Sequence, residues 1–266
     1  MIYAFAKIGD HSEAVARNRA RKMREILNAA LELACEGGLD NLTLHRLADR
    51  MGRSVAAVYR YFPSREAVVA ELQRLIATHI RLITGDAQAS LTVWADAQNL
   101  SAEERSVAAI LTSCLAYEAF ARHAPQEFGL VTRYLSVPEN VLPDRDAARI
   151  FEVTSESLDL LGQMIDRAMQ KGCLNEGKGR DRAVMLWAAL QGSIDALKIV
   201  RRAGWSPASS LTRDMIENLI IGWGANRETL TPLAARLANE NPVIIQREVR
   251  DLIAVSGAYQ ESDEET

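Results

Sequence analysis

Apolar residues recur at helical spacing along almost the whole chain, and no stretch alternates with the two-residue period of a strand. From about Ala16 to Glu36 the positions Met23, Ile26, Leu27, Ala30, Leu31 and Ala34 share one face, and Gly37-Gly38 ends the run. Thr43 then caps a short helix in which Leu44, Leu47, Ala48 and Met51 point inward, leaving His45, Arg46, Asp49 and Arg50 outside. It stops at Gly52. Ser54 caps a third helix of barely two turns, with Val55, Val58 and Phe62 inward and Ala56, Ala57, Tyr59, Arg60 and Tyr61 outward. A longer helix starts at Ser64 and runs to about Thr84 on Val68, Leu72, Leu75, Ile76, Leu82 and Ile83.

Beyond it, residues 85–100 read as a loop, and Ser101 with Glu104 makes a capping box for a helix to about His123. Pro125 opens a shorter helix, Pro138 and Pro143 punctuate a loop, and a helix from Asp144 to Lys171 closes at Gly172. Helices over Asp181–Ala203 and Leu211–Gly224 follow, then one from Thr231-Pro232, one from Pro242 to Val255, and the solvated tail SDEET. The expected fold is all-α.

Composition supports this, since Gly and Pro are sparse (15 and 7) and aromatic residues make up only 6%. The net charge of −4 announces no nucleic-acid partner, but its distribution changes the picture. Residues 14–74 carry ten Arg and one Lys against seven carboxylates, so the first quarter is basic and the remainder acidic. A solvated helix start accounts equally well for any single cation among Arg17, Arg19, Arg21, Lys22 and Arg24. The apolar N-terminal stretch is too short for a secretory core, and no run approaches the ~18 residues of a membrane span, so a cytoplasmic protein is expected. Cys35, Cys114 and Cys173 lack CxxC spacing and read as small buried hydrophobes. The four histidines suggest no metal site, and no Ser/His/Asp or Cys/His grouping or phosphate loop suggests an enzyme or a cofactor.

Two short helices joined around Gly52-Arg53 form a helix-turn-helix, whose second helix offers small residues, Ala56 and Ala57, where a major groove demands close approach. Tyr59 and Tyr61 have hydroxyls suited to phosphates, while Arg60 reaches a guanine edge or a phosphate. The run LTLHRLADRMGRSVAAVYRYFPSREAVVAEL resembles the DNA-binding signature of the TetR family of one-component bacterial transcriptional regulators, over about residues 18 to 75. Its matching elements are Thr43, Leu47-Ala48, Gly52, Ser54, Tyr59 to Phe62 and Ser64-Arg65-Glu66. Two positions depart from the pattern. Arg53 stands where members usually have a small apolar residue, and Arg65 replaces a more frequent lysine. The resulting DNA-binding set is Thr43, His45, Arg46, Arg53, Ser54, Ala56, Ala57, Tyr59, Arg60, Tyr61 and Arg65, with Arg53 and Arg65 expected on phosphates.

The resemblance implies more than this segment. It divides the chain into an N-terminal extension (1–17), a helix-turn-helix domain (18–63), a helical effector-binding and dimerisation body (64–240) and a C-terminal helix with an acidic tail (241–266). In the family the penultimate helix pair forms a four-helix dimer interface. Trp187, Leu190, Ile194, Leu197, Met215, Leu219, Ile220 and Trp223 are the corresponding apolar residues here, although an ordinary core would use them too. A small-molecule pocket is expected among Tyr117, Phe120, Tyr134, Phe151, Ser155, Trp187 and Gln191, which combine aromatic walls with isolated polar groups. Glu152, Glu156 and Asp159 lie on one side of a helix and suit a cationic ligand, or form a solvated stripe. The implied function is an effector-released repressor acting as a homodimer on a palindromic operator. A transcriptional activator and an architectural DNA binder without effector are the alternatives.

Overall fold

The structure, a computed structural model, describes residues 3–136, 144–204, 208–246 and 248–255. The expected loop at Pro138 and Pro143 and the tail SDEET lie outside the described residues. Among those described, all regular structure is helical: α1 (Tyr3–Gly37), a 3-10 turn (Leu39–Asn41), α2 (Leu44–Arg50), α3 (Val55–Tyr59), α4 (Arg65–Ala97) and α5 (Ala102–His123). Then come α6 (Pro125–Ser136), α7 (Asp144–Gln170), α8 (Gly179–Ala203), α9 (Ala208–Gly222), α10 (Arg227–Glu240) and α11 (Val249–Val255).

These helices sort into two compact units. The first takes its described residues from 1–79, 126–150 and 247–266. Its core is the inward stripe of α1 (Ile26, Leu27, Ala30, Leu31) with Leu44 and Leu47 of α2, Val58 and Phe62 around α3, and Val68, Leu72 and Ile76 of α4, all buried. The 3-10 turn between α1 and α2 is tied down on the α1 side, where the Asn41 side-chain amide donates to Leu33 O at 2.8 Å. Helix α11 packs on α1 through the buried Val249 and Ile253, and its Arg250 lies 3.7 Å from the Glu32 carboxylate.

The second unit spans 80–125 and 151–246. Its core joins Leu91 and Ala95 of α4 to Val107, Ile110 and Leu111 of α5, Ile165 of α7, Leu186 and Leu190 of α8, Ile216 and Ile220 of α9, and Leu230 and Leu237 of α10. The expected capping box is present: the Ser101 hydroxyl accepts from Glu104 N–H at 3.1 Å, and the Glu104 carboxylate accepts from Ser101 N–H at 2.8 Å.

Three expected boundaries are corrected. Helix α1 begins at Tyr3 rather than near Ala16. The region read as a loop over 85–100 is the continuation of α4 to Ala97. Ala87, Leu91 and Ala95 recur every four residues and are buried, so this face gains more from packing than Gly85 loses in propensity. At the other end, residues 242–246 are not helical and α11 begins only at Val249. Pro242 followed by Val243, Ile244 and Ile245 is a poor helix start, whereas the Asp251 carboxylate accepts from Glu248 N–H at 2.7 Å and opens the last helix.

Gly52 (φ 61°) and Gly85, which sits inside α4, both have open space where a Cβ would project. The same substitution should therefore act with opposite sign. Gly52→Ala forces a left-handed backbone on an L residue and is expected to cost about 1 kcal/mol. Gly85→Ala improves a helix interior and should add about 0.8 kcal/mol. Urea denaturation of the two variants checks both signs at once.

Candidate nucleic-acid interface

Each short helix of the first unit is fixed by its cap. Thr43 takes an extended backbone and its hydroxyl accepts from Arg46 N–H at 3.2 Å; Ser54 does the same for Ala57 N–H at 3.3 Å. Between them Arg53 N–H donates to Ala48 O at 2.9 Å and Gly52 N–H to Asp49 O at 3.0 Å, which closes the turn tightly enough to need the glycine. Helix α3 has only five residues, and the buried Val58 and Phe62 hold it down. Its outer side presents Ala56, Tyr59 (53% exposed) and Arg60, with Ala57 and Tyr61 half-buried. His45 and Arg46 of α2 are exposed as well. The structure thus gathers on one helix-turn-helix nearly all the residues that the sequence assigns to DNA.

A notch of about 230 Å³ beside α3 is lined by Asn18, Lys22 and Ile26 of α1, Met51 and Arg53 of the turn, and Ala57, Val58, Arg60 and Tyr61. Three cations therefore face one recess. Two of them are not independent. The Glu25 carboxylate of α1 accepts from Arg53 Nη2 at 3.2 Å, from Lys22 Nζ at 3.0 Å and from Arg21 Nη1 at 2.6 Å. The Lys22 hydrogen bond, with the Arg21 and Arg53 charges adding to it, holds the Glu25 carboxyl below the usual carboxylate range against a partial opposing effect of burial. Sequence reasoning left Glu25 out, although its spacing of four from Arg21 and three from Lys22 on one helix was visible. The Arg53 contact could not be seen, because it spans 28 residues.

Arg65 is engaged inside the fold. Its Nε donates to Leu42 O and its Nη2 to Leu39 O, both at 2.7 Å, and Nη1 lies 3.5 Å from Glu66. The guanidinium fork is engaged by carbonyls flanking the 3-10 turn, so this residue fastens α4 to the start of α2, a structural role that stands beside the expected phosphate contact. Arg50 likewise ties α2 to α1, with Nη2 2.6 Å from Glu36 and Nη1 3.4 Å from Glu32.

In the second unit, three of the seven residues expected around a ligand meet. Trp187 Nε1 donates to the Tyr117 oxygen at 3.2 Å, Tyr117 O–H donates to Gln191 Oε1 at 2.8 Å, and Gln191 Nε2 donates to Asp195 Oδ2 at 3.0 Å. Burial pushes the Tyr117 phenol well above the ordinary tyrosine range; the Trp187 bond opposes this and the Asp195 charge adds to it. Phe120 is instead fully buried, Phe151 is 53% exposed and Ser155 is half-buried, while the Tyr134 side chain lies outside the described residues. The acidic stripe is partly used up, because Glu156 pairs with Arg81 at 4.0 Å and Asp159 with Arg180.

The expected dimer residues also divide. Leu190 and Ile220 turn inward to the core of their own chain, and Trp223 lies under the Arg182 guanidinium at 5.3 Å, packed against the same core. Ile194, Leu197, Met215 and Leu219 are half-buried. The exposed face of α8 is formed by Met185 (56%), Ala188, Gly192, Asp195 and Ile199 (62%).

Cys114 is buried, Cys35 and Cys173 are half-buried, and burial pushes the Cys35 thiol to about 11, which leaves it protonated and unreactive. Among the described residues no group of three His, Cys, Asp or Glu is arranged to hold a metal, and no helix is long and apolar enough to cross a membrane.

A capped helix-turn-helix with an exposed Tyr-Arg face, on an otherwise helical body, defines a DNA-binding transcriptional regulator. Residues 26–72 match the family model described as bacterial regulatory proteins, tetR family, so this segment is similar to the DNA-binding domain of that family. Solved structures share the fold. The TetR family transcriptional regulator PfmR from Thermus thermophilus is 18% identical with a TM-score of 0.52, covering 74% of this chain and 97% of its own. The fatty acid degradation regulator FadR from Bacillus halodurans is 17% identical with a TM-score of 0.55, over 77% and 97%. FadR from Bacillus subtilis, crystallised with stearoyl-CoA, is 19% identical with a TM-score of 0.51, over 74% and 97%. No curated protein matches the chain.

The two readings of Arg65 separate experimentally. Arg65→Ala removes two charge-assisted bonds to carbonyls and is expected to lower unfolding stability by about 2 kcal/mol. The slope of log K for DNA against log salt should stay as in the wild type. A stable variant with a slope reduced by about one unit per protomer would support the phosphate contact.

Proposed function

We propose that the protein is a repressor that binds a palindromic operator as a homodimer and is released by a small-molecule effector. The observation that carries the reading is the exposed Tyr59-Arg60 edge of α3, held on a fully capped helix-turn-helix. With Ala56 at the groove-facing start, Arg60 supplies a base or phosphate contact and Tyr59 a phosphate contact. The domains read from the sequence fit these tasks: residues 18–63 bind DNA, and 64–240 bind the effector and the second copy.

Dimerisation is assigned to the α8 face. Met185, Ala188, Gly192, Asp195 and Ile199 follow a spacing of three and four and share one side of the helix, as in a helical-bundle seam. Half-buried Leu211, Met215 and Leu219 of α9 extend it. Two-fold pairing of this surface gives the two recognition helices that a palindrome requires.

For the effector, the Tyr117, Trp187 and Gln191 cluster supplies buried polar groups beside apolar walls. Stearoyl-CoA, the ligand bound by the Bacillus subtilis FadR of similar fold, is a first probe. Release follows only if the effector prefers a state that DNA disfavours, and DNA then weakens the effector by the same factor.

Footprinting on the DNA flanking the gene tests the reading. One protected palindrome, lost on adding effector, is the expected result. Uniform binding to all duplexes would point to an architectural protein, and enhanced transcription from the bound site to an activator. The interface has its own test. Gly192 is exposed and a Cβ there meets nothing within 4 Å, so Gly192→Arg can start its side chain toward solvent in its own chain. It is expected to sediment as a monomer with unchanged helicity and at least tenfold weaker operator binding. A normal dimer would move the interface elsewhere.

A further inference from the structure

We propose that Glu25 is a built-in counter-charge of the DNA interface, which lowers affinity for duplex of any sequence. The inference rests on the DNA-binding reading above and concerns how that surface is tuned. The geometry is specific. One carboxylate on α1 holds the cations of two segments, Arg21 and Lys22 of its own helix and Arg53 of the helix-turn-helix turn, all within 3.2 Å of its oxygens. Arg53 and Lys22 also line the notch that Arg60 and Tyr61 enter from α3. A phosphate approaching this recess meets three lining cations, two of which already share a negative partner.

The charges are open enough to matter and too crowded to ignore one another. Arg53 and Glu25 keep 40% and 35% of their side-chain surface in solvent, whereas Lys22 keeps 17%. Lys22 is therefore fixed beside the carboxylate, and a phosphate that binds it must accept Glu25 as a close like-charged neighbour. Repulsion of this kind acts on every phosphate alike, so it weakens binding without reading sequence. Base contacts by α3 are untouched. The sequence-independent part of affinity is thereby lowered, and discrimination is left to the base contacts.

Glu25→Gln keeps the shape and the acceptor oxygen for Arg53 but removes the charge. In full-length protein, measured against a random duplex and the footprinted operator at several salt concentrations, it should bind random duplex roughly fivefold tighter at 0.1 M salt. The operator should gain by a similar factor, so the ratio of operator to random affinity stays near its wild-type value. The slope of log K against log salt should steepen by about one unit per protomer, near the −0.9 expected for each added phosphate neutralisation. Glu25→Ala, which removes charge and acceptor together, must move the slope in the same direction. Unchanged slopes in both variants, or weaker binding of both duplexes, would overturn the proposal and leave Glu25 as a structural tie between α1 and the turn. Wild-type protein with no salt-dependent affinity for any duplex would sink the DNA-binding reading itself, and the inference with it.

Discussion

A helix of five residues has no stability of its own in water, because nucleation costs more than one turn of hydrogen bonds returns. Helix α3, the part with the clearest case for meeting DNA, is such a helix. The rest of the first unit supplies what α3 lacks. Ser54 satisfies one of its first donors, the Gly52 turn sets its direction, and Val58 and Phe62 sink into a core made by α1, α2 and α4. Arg65 extends the same logic by one step. By holding Leu39 O and Leu42 O, it anchors the turn before α2, and α2 in turn carries the turn before α3. The short α3 is held in place because the segments around it are tied to one another by caps, core packing and the Arg65 bonds.

What was legible in the sequence was local. Caps at Thr43, Ser54 and Ser101 were visible because a cap depends on a residue and a neighbour three positions away. The inward faces of α2 and α3 were visible because period and polarity agreed. The continuation of α4 past Thr84 was hidden by Gly85 and by polar residues between the widely spaced Ala87, Leu91 and Ala95; a stripe of two alanines and one leucine gives weak contrast. The direction of Leu190 and Ile220 was hidden for the opposite reason, since α8 and α9 are apolar on more than one side and periodicity cannot rank two apolar faces. Their exposed sides carry small residues and isolated apolar ones, Ala188, Gly192 and Ile199, which composition alone would not pick out.

Charge was the least legible quantity, and the reason is physical. Counting residues 14–74 gives a basic segment, yet a count says nothing about which cations are available. Arg50 is bound by Glu32 and Glu36, Arg74 by Glu71, Arg53 by Glu25, and Arg65 by two carbonyls. Each partner lies on another helix or turn, or one helical turn away, so the pairing is a property of the fold. Arg46 and Arg60, exposed on α2 and beside α3, are not drawn into any of these pairs. The segment therefore has fewer uncommitted cations than its composition suggests.

That commitment of cations bears on how such a protein finds one site among many. Phosphate attraction supplies affinity for every duplex, and only base contacts and DNA shape distinguish an operator. A regulator whose basic residues were all free would gain affinity mainly for the wrong DNA, which vastly outnumbers the right one. Engaging Arg50 with carboxylates and Arg65 with carbonyls inside the fold uses these arginines for rigidity, and leaving Glu25 next to Lys22 and Arg53 moderates two more cations without removing them. Rigidity and moderation act on different terms: a fixed α3 makes a mismatched base costly, and a muted phosphate term limits how tightly DNA of any sequence is held. The chain's mild net charge is then consistent with DNA binding, because the surface depends on where cations are left unpaired more than on how many there are.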